Sequence, residues 1–166
     1  MHRVSVTTSG CYNVLVDNDL FENAAAEVSA VTQARNICIV SDEIVWSLWG
    51  SALEDSLKSA GYQCCRFLIP PGEEQKRIEN CVQIWEFLSQ KGFGRQDCLI
   101  ALGGGVVGDL TGFAAATYLR GIDYIQIPTT LLSMVDSSIG GKKSRRRSVF
   151  STTLACARES ISESMS

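Results

Sequence analysis

Cys98-Leu99-Ile100-Ala101-Leu102-Gly103-Gly104-Gly105-Val106-Val107-Gly108-Asp109 is the stretch on which the fold turns. Five apolar residues in a row read as a strand buried on both faces. Three glycines then turn the chain into an apolar helix, expected from about Val106 to Leu119. Glycines after a buried strand let the backbone pass close to a ligand, and the next helix aims free N–H groups at it, which suits a pyrophosphate. The spacing is not Gly-x-Gly-x-x-Gly, and no Gly-Lys-Ser/Thr closes it. The same turn also has a purely structural use, tight packing of helix on strand. Asp109 likewise has two uses, at a ligand or complementing the helix dipole.

The same alternation extends both ways. Val4–Val6 and Tyr12–Val16 read as two short strands around a turn at Gly10, and Leu20–Val31 has helical spacing. Asn36–Asp42 is a compact apolar strand. Val45–Ala60 is a helix with Val45, Leu48, Trp49, Ala52, Leu53 and Leu57 on one face. Gln63–Ile69 is a strand closed by Pro70-Pro71-Gly72. Lys76–Gln90 is a helix with a stripe of Ile78, Val82, Trp85 and Leu88, and Tyr124–Ile127 is a strand ending at Pro128. Strand and helix in strict alternation predict an α/β fold, an open parallel sheet with helices on both faces. Such sheets bind ligands at the carboxyl ends of their strands. Those ends carry Asp42, the Pro70–Lys76 turn, the Gly103–Asp109 turn and Thr129-Thr130.

The bulk properties fit one soluble domain. The chain has 166 residues, 45% hydrophobic and 20% charged, with net charge −3. It has no apolar run near the length of a membrane span and no signal-peptide pattern, so a cytoplasmic protein with no membrane partner is expected. Seven cysteines without a Cys-x-x-Cys pair read as reduced, mostly buried thiols. The one histidine is His2, so a zinc site built within the chain is not expected. Trp46, Trp49 and Trp85 read as packing residues.

The remaining candidates each have a structural use beside the functional one. Glu73 and Lys76 stand three apart and form a cap and surface ion pair if nothing else. Thr129 and Thr130 cap the helix expected from Leu131. Arg120 meets a helix dipole. Asp136 and Lys142 flank Ser137-Ser138-Ile139-Gly140-Gly141, a turn able to offer N–H groups and an ammonium to an anion.

Taken in order, Leu102-Gly-Gly-Gly-Val-Val-Gly-Asp109, Tyr118-Leu-Arg-Gly121, Pro128-Thr-Thr-Leu-Leu and Val135-Asp-Ser-Ser-Ile-Gly-Gly-Lys142 closely resemble 3-dehydroquinate synthase, and Pro71-Gly72-Glu73-x-x-Lys76 is similar to that family's turn. The likeness runs from near the N-terminus to Lys142. Other sugar-phosphate cyclases and glycerol-dehydrogenase-like enzymes share the glycine turn; Val-Asp-Ser-Ser-x-Gly-Gly-Lys fits dehydroquinate synthase best. The resemblance implies a Rossmann-like domain and NAD-dependent cyclisation of 3-deoxy-D-arabino-heptulosonate 7-phosphate to 3-dehydroquinate with loss of phosphate. That is an early step of the shikimate route to chorismate and the aromatic amino acids. NAD is reduced and reoxidised within each turnover. A divalent metal, zinc or cobalt, and a homodimer are implied for the full-length family, with a small phosphorylated substrate and no nucleic-acid partner.

Carried over by motif position, Asp42, Glu73 and Lys76 face the adenosine side of NAD. Gly104, Gly105, Val106 and Asp109 lie along its pyrophosphate and ribose, and Thr129, Thr130 and Leu132 line its nicotinamide side. Arg120, Asp136 and Lys142 face the substrate.

The likeness stops at Lys142. Residues 1–142 hold ten Lys/Arg against sixteen Asp/Glu, while 143–166 hold five against two. The tail opens Lys143-Ser144-Arg145-Arg146-Arg147-Ser148 where the family continues with Thr and an Asn-x-x-x-Gly-Lys-Asn segment. The family's all-helical domain, which supplies a Glu and two His to the metal, does not follow. The expectation is an NAD-binding domain over 1–142 and a basic, Ser-rich tail over 143–166 without packed structure, read as a changed frame rather than a phosphorylation or nucleic-acid module. On this reading the chain alone is an inactive half-enzyme; the alternatives are a non-catalytic NAD-binding fragment, a pseudogene product or another enzyme of the superfamily.

Overall fold

The structure, a computed structural model, describes residues 2–7, 11–16, 23–130, 132–133 and 153–155. Asp136, Lys142 and most of the 143–166 segment lie outside them.

The centre of the molecule is β5 (Cys98–Gly103), buried at every residue. On one side it pairs in parallel with β3 (Asn36–Asp42), which pairs in turn with β4 (Gln63–Ile69); on the other it pairs with β6 (Asp123–Pro128). A hairpin of β1 (His2–Thr7) and β2 (Cys11–Val16) joins beyond β6 through β7 (Thr153–Ala155). The order is β1-β2-β7-β6-β5-β3-β4, parallel except within the hairpin. β7 falls inside the segment expected to lack packed structure, and at these three residues the structure departs from that expectation.

Helices cover both faces, as the alternation predicts. Alternate residues of each strand point to opposite faces. Ile37, Ile39, Cys98, Ile100, Leu102, Ile125 and Ile127 pack with α1 (Ala24–Val31) and α3 (Ser51–Ser59) through Val28, Leu53 and Leu57. Cys38, Val40, Leu99, Ala101 and Tyr124 pack with α4 (Ile78–Gln90) and α5 (Gly105–Thr117). Each fully buried Leu or Ile in these layers contributes about 1.5–3 kcal/mol.

Two helical stripes differ from their expected form. α2 (Glu43–Val45) runs into α3 through a π turn, Trp46–Gly50, where the Trp46 indole folds over Gly50 so closely that a side chain there would strike the ring. The wide turn shifts the helical phase and turns Leu48 outward, 65% exposed. In α4 the buried row is Cys81, Ile84 and Leu88, while Ile78 and Val82 are exposed. Trp46, Trp49 and Trp85 do pack against the two cores. No described helix is long and apolar enough to cross a membrane.

Candidate functional site

β3 leads away to β4 on one side, and the chain then returns past it to β5 on the other. The sheet thus reverses its direction of growth between β3 and β5, and a crevice outside their carboxyl ends is where α/β sheets hold ligands. Ser41 pairs with Leu102, Asp42 with Ile69, and Gly103 with Pro128, so all four carboxyl ends finish level. Ser41 Oγ donates to Leu102 O at 2.8 Å, and Thr129 N–H donates to Gly103 O at 3.0 Å, tying the row together. The residues just past this row form one edge.

Asp42 caps α2: its Oδ1 accepts from Val45 N–H at 2.8 Å. After β4, Gly72 turns the chain at φ 127°, a left-handed conformation that glycine adopts without strain. A 3-10 turn, Glu73–Gln75, follows and is separate from α4, which begins only at Ile78. Lys76 leaves this turn to meet Asp109 Oδ2 on α5 at 2.7 Å, with Glu73 Oε1 at 3.8 Å. The expected Glu73–Lys76 ion pair is present, but Asp109 is the closer partner. Asp109 raises the Lys76 ammonium above its ordinary value, with Glu73 adding to the effect.

The glycines of the turn divide into two kinds. A side chain on Gly103 would meet Val107 at 2.8 Å, and one on Gly108 would meet Gln126 Nε2 at 2.7 Å. These two are glycine because helix and strand pack closely. Among the described residues Gly105 has no atom within 4 Å of such a position, and Gly104 has only ordinary contact with Thr130, at 3.4 Å. Gly104 is extended, φ −78° and ψ −166°, a conformation open to any residue. Among the described residues nothing requires glycine at 104 or 105.

Among the described residues nothing caps the N-terminus of α5. Gly104 supplies no side-chain cap, and the first helical bond runs from Gly108 N–H to Gly104 O. The N–H groups of Gly105, Val106 and Val107 therefore stand outside the helical ladder, at the positive end of the dipole. Thr129 Oγ1 and Gln126 Nε2 are buried with no hydrogen-bond partner among the described residues. Thr129 stands among the candidates from sequence; Gln126 does not, though one amide in the apolar run of β6 marks it. Thr130 does cap the next turn: its Oγ1 accepts from Ser133 N–H at 3.2 Å. Leu132 is 75% exposed beside it.

The structure brings Asp42, Glu73, Lys76, Gly104, Gly105, Val106, Asp109, Thr129, Thr130 and Leu132 to one edge. It does not bring Arg120 there. Arg120 closes the 3-10 turn Tyr118–Arg120 beyond the far end of α5. Thirteen helical residues put it roughly 20 Å from Gly105, at the amino ends of the strands. Within a single chain, Arg120 does not share the site of the glycine turn. Leu119 and Arg120 both have positive φ, 49° and 72°, which for such residues costs about 1–2 kcal/mol each.

Comparison with known proteins fits this edge. The family model described as 3-dehydroquinate synthase N-terminal matches residues 66–148, the span from β4 through the glycine turn to past Lys142. The chain belongs to the 3-dehydroquinate synthase family. It is 47% identical over 143 residues to the 3-dehydroquinate synthase of Latilactobacillus sakei subsp. sakei, a match covering 86% of this chain and 40% of that one. The chain thus spans about two fifths of the length of that relative. Among solved structures, 2-epi-5-epi-valiolone synthase from Streptomyces hygroscopicus subsp. jinggangensis, with NAD+ and Zn2+ bound, superposes with TM-score 0.72 at 30% identity, covering 93% of this chain and 45% of that one. A 2-deoxy-scyllo-inosose synthase complexed with carbaglucose-6-phosphate, NAD+ and Co2+ has the same fold, with TM-score 0.77 at 22% identity and coverage of 93% and 45%.

Proposed function

We propose that this chain is the NAD-holding half of a 3-dehydroquinate synthase, the enzyme that cyclises 3-deoxy-D-arabino-heptulosonate 7-phosphate to 3-dehydroquinate with loss of phosphate. The observation that carries the proposal is the contrast within the glycine turn. Gly104 and Gly105 leave open space over an uncapped helix N-terminus, at the point where the sheet reverses.

In this reading the N–H groups of Gly105 and Val106 bind the pyrophosphate. Asp42 keeps a carboxylate oxygen for a ribose hydroxyl while its other oxygen caps α2. Lys76 and Asp109 hold the cofactor edge together, Glu73 stands beside them, and Thr129, Thr130 and Leu132 line the nicotinamide end. NAD, when bound, supplies a reversible hydride acceptor. Asp136, Lys142 and Arg120 are assigned to the phosphorylated substrate, with Arg120 excluded from the glycine-turn edge of its own chain by the length of α5. The relatives crystallised with NAD+ and with Zn2+ or Co2+ support NAD and a divalent metal for the whole enzyme. The metal does not fit the residues in hand: among the described residues no group of three His, Cys, Asp or Glu could hold an ion.

The 166 residues by themselves are therefore expected to bind cofactor without turning over. The assay is phosphate release from the keto-sugar-acid phosphate with NAD and zinc or cobalt supplied. No release by the chain alone, and release when a separately expressed metal-binding half of a family member is added, are the expected results. Turnover by the purified chain alone would overturn the half-enzyme reading.

A further inference from the structure

Cys38 on β3 and Cys65 on β4 are partners in the parallel register. Neighbouring strands lie about 4.8 Å apart, inside the Cα separation of about 4.4–6.8 Å that a disulfide spans. Both side chains lie on the α4/α5 face, Cys38 within that core and Cys65 packed against it. Both thiols are free, and each lies within the electrostatic reach of the other.

The two differ in access. Cys38 is fully buried in the sheet interior, whereas Cys65 is half-buried on β4, the last strand of the sheet. The Lys91 ammonium faces Cys65 from the end of α4, where it also sits 5.6 Å over the Phe87 ring. Neighbouring Cys38 draws the Cys65 thiol below its ordinary value, and Lys91 adds to this against the opposing effect of burial. Cys64, the adjacent residue, points to the opposite face, where burial pushes its thiol up to about 11.

We propose that Cys65 is an oxidisable thiol and Cys38 its resolving partner, so that a peroxide converts the pair into a disulfide stapling β3 to β4. An accessible thiolate beside a resolving cysteine is the arrangement found at redox-sensitive sites. In the first step the Cys65 thiolate attacks one oxygen of hydrogen peroxide. The O–O bond breaks, Cys65 becomes a sulfenic acid by a two-electron oxidation, and the departing hydroxide leaves as water. In the second step the Cys38 sulfur attacks Cys65 Sγ, the S–O bond breaks, and the hydroxide leaves as water with the Cys38 proton. Two thiols and one peroxide thus give one disulfide and two waters.

The test treats the purified full chain with hydrogen peroxide at near-stoichiometric ratio, followed by intact mass and peptide mapping without reduction. The expected product is lighter by two hydrogen atoms, contains a Cys38–Cys65 linked peptide, and reverts with dithiothreitol. Cys65→Ser, a change at a half-buried position, should give no linkage. Cys38→Ala should instead accumulate a sulfenic acid at Cys65, captured by a cyclic 1,3-dione; if that variant does not fold, the wild-type map and Cys65→Ser decide. Absence of the disulfide from folded wild-type chain, linkage of Cys65 to any other cysteine, or faster oxidation of Cys64 than of Cys65 would overturn the proposal.

Discussion

Gly105 and Gly108 stand three residues apart in α5, and on the proposed reading they need glycine for opposite reasons. Gly108→Ala forces a methyl group onto the buried Gln126 amide and should lower stability by about 1–3 kcal/mol, read from chemical unfolding. Gly105→Ala meets no atom of the described residues, and it removes conformational freedom from the unfolded chain, so its stability should be unchanged or higher by up to about 1 kcal/mol. Its NAD affinity should nonetheless fall roughly tenfold, because the added carbon occupies ligand space. Unfolding and titration of both variants check the pair; a destabilised Gly105→Ala with normal affinity would reverse the assignment. The sequence offered the whole run as either a ligand-binding or a packing turn, since glycines after a buried strand serve both uses. It could not divide the run, because the division depends on Gln126 and Val107, which approach the turn only in three dimensions.

The elements that aim the turn are α5 and β6. Tyr124 donates from its hydroxyl to Gly108 O at 2.9 Å, and Trp85 Nε1–H donates from α4 to Ala114 O at 3.3 Å. Tyr124→Phe should cost about 0.5–1.5 kcal/mol, the net value of such a bond. Burial, with Asp109 as a lesser cause, pushes the Tyr124 phenol far above its ordinary value of 10.0. The folded state therefore keeps the proton that the unfolded state gives up. Tyr124 contributes its full stability below pH 10 and loses it progressively as pH rises above that, because only the unfolded chain ionises. The gap between wild type and Tyr124→Phe should narrow across that alkaline range, measured by unfolding at fixed pH steps. At this scale the strands were legible almost to the residue: Asn36–Asp42 and Gln63–Ile69 are β3 and β4 as expected. Continuous apolar runs bounded by turn residues leave little choice. The helical faces were less so. α4 carries apolar residues at 78, 81, 82, 84, 85, 87 and 88, a band too wide to fix its buried row, and packing against the sheet and α5 selects Cys81, Ile84 and Leu88. The π turn ahead of α3 answers to the fit of Trp46 over Gly50, for which the sequence carries no periodic sign.

At the scale of the molecule, alternating strands and helices predict a parallel sheet but not the order β4-β3-β5-β6. The β3–β5 register carries Asp42 to the level of the glycine turn, while the length of α5 takes Arg120 to the far end of that helix. Motif order in the sequence groups these residues by function alone; helix length and direction separate them in space. The account therefore rests on one edge acting as a cofactor cradle. Calorimetric titration of NAD into the purified 166-residue chain tests it most directly, with Asp42→Asn and Gly105→Val beside it. Asparagine retains the capping oxygen that meets Val45 N–H and so leaves the fold in place. The expected result is saturable binding of one NAD per chain, weakened in Asp42→Asn and abolished in Gly105→Val while both variants unfold like wild type. Absence of binding by the folded wild-type chain, or binding indifferent to both substitutions, would contradict it.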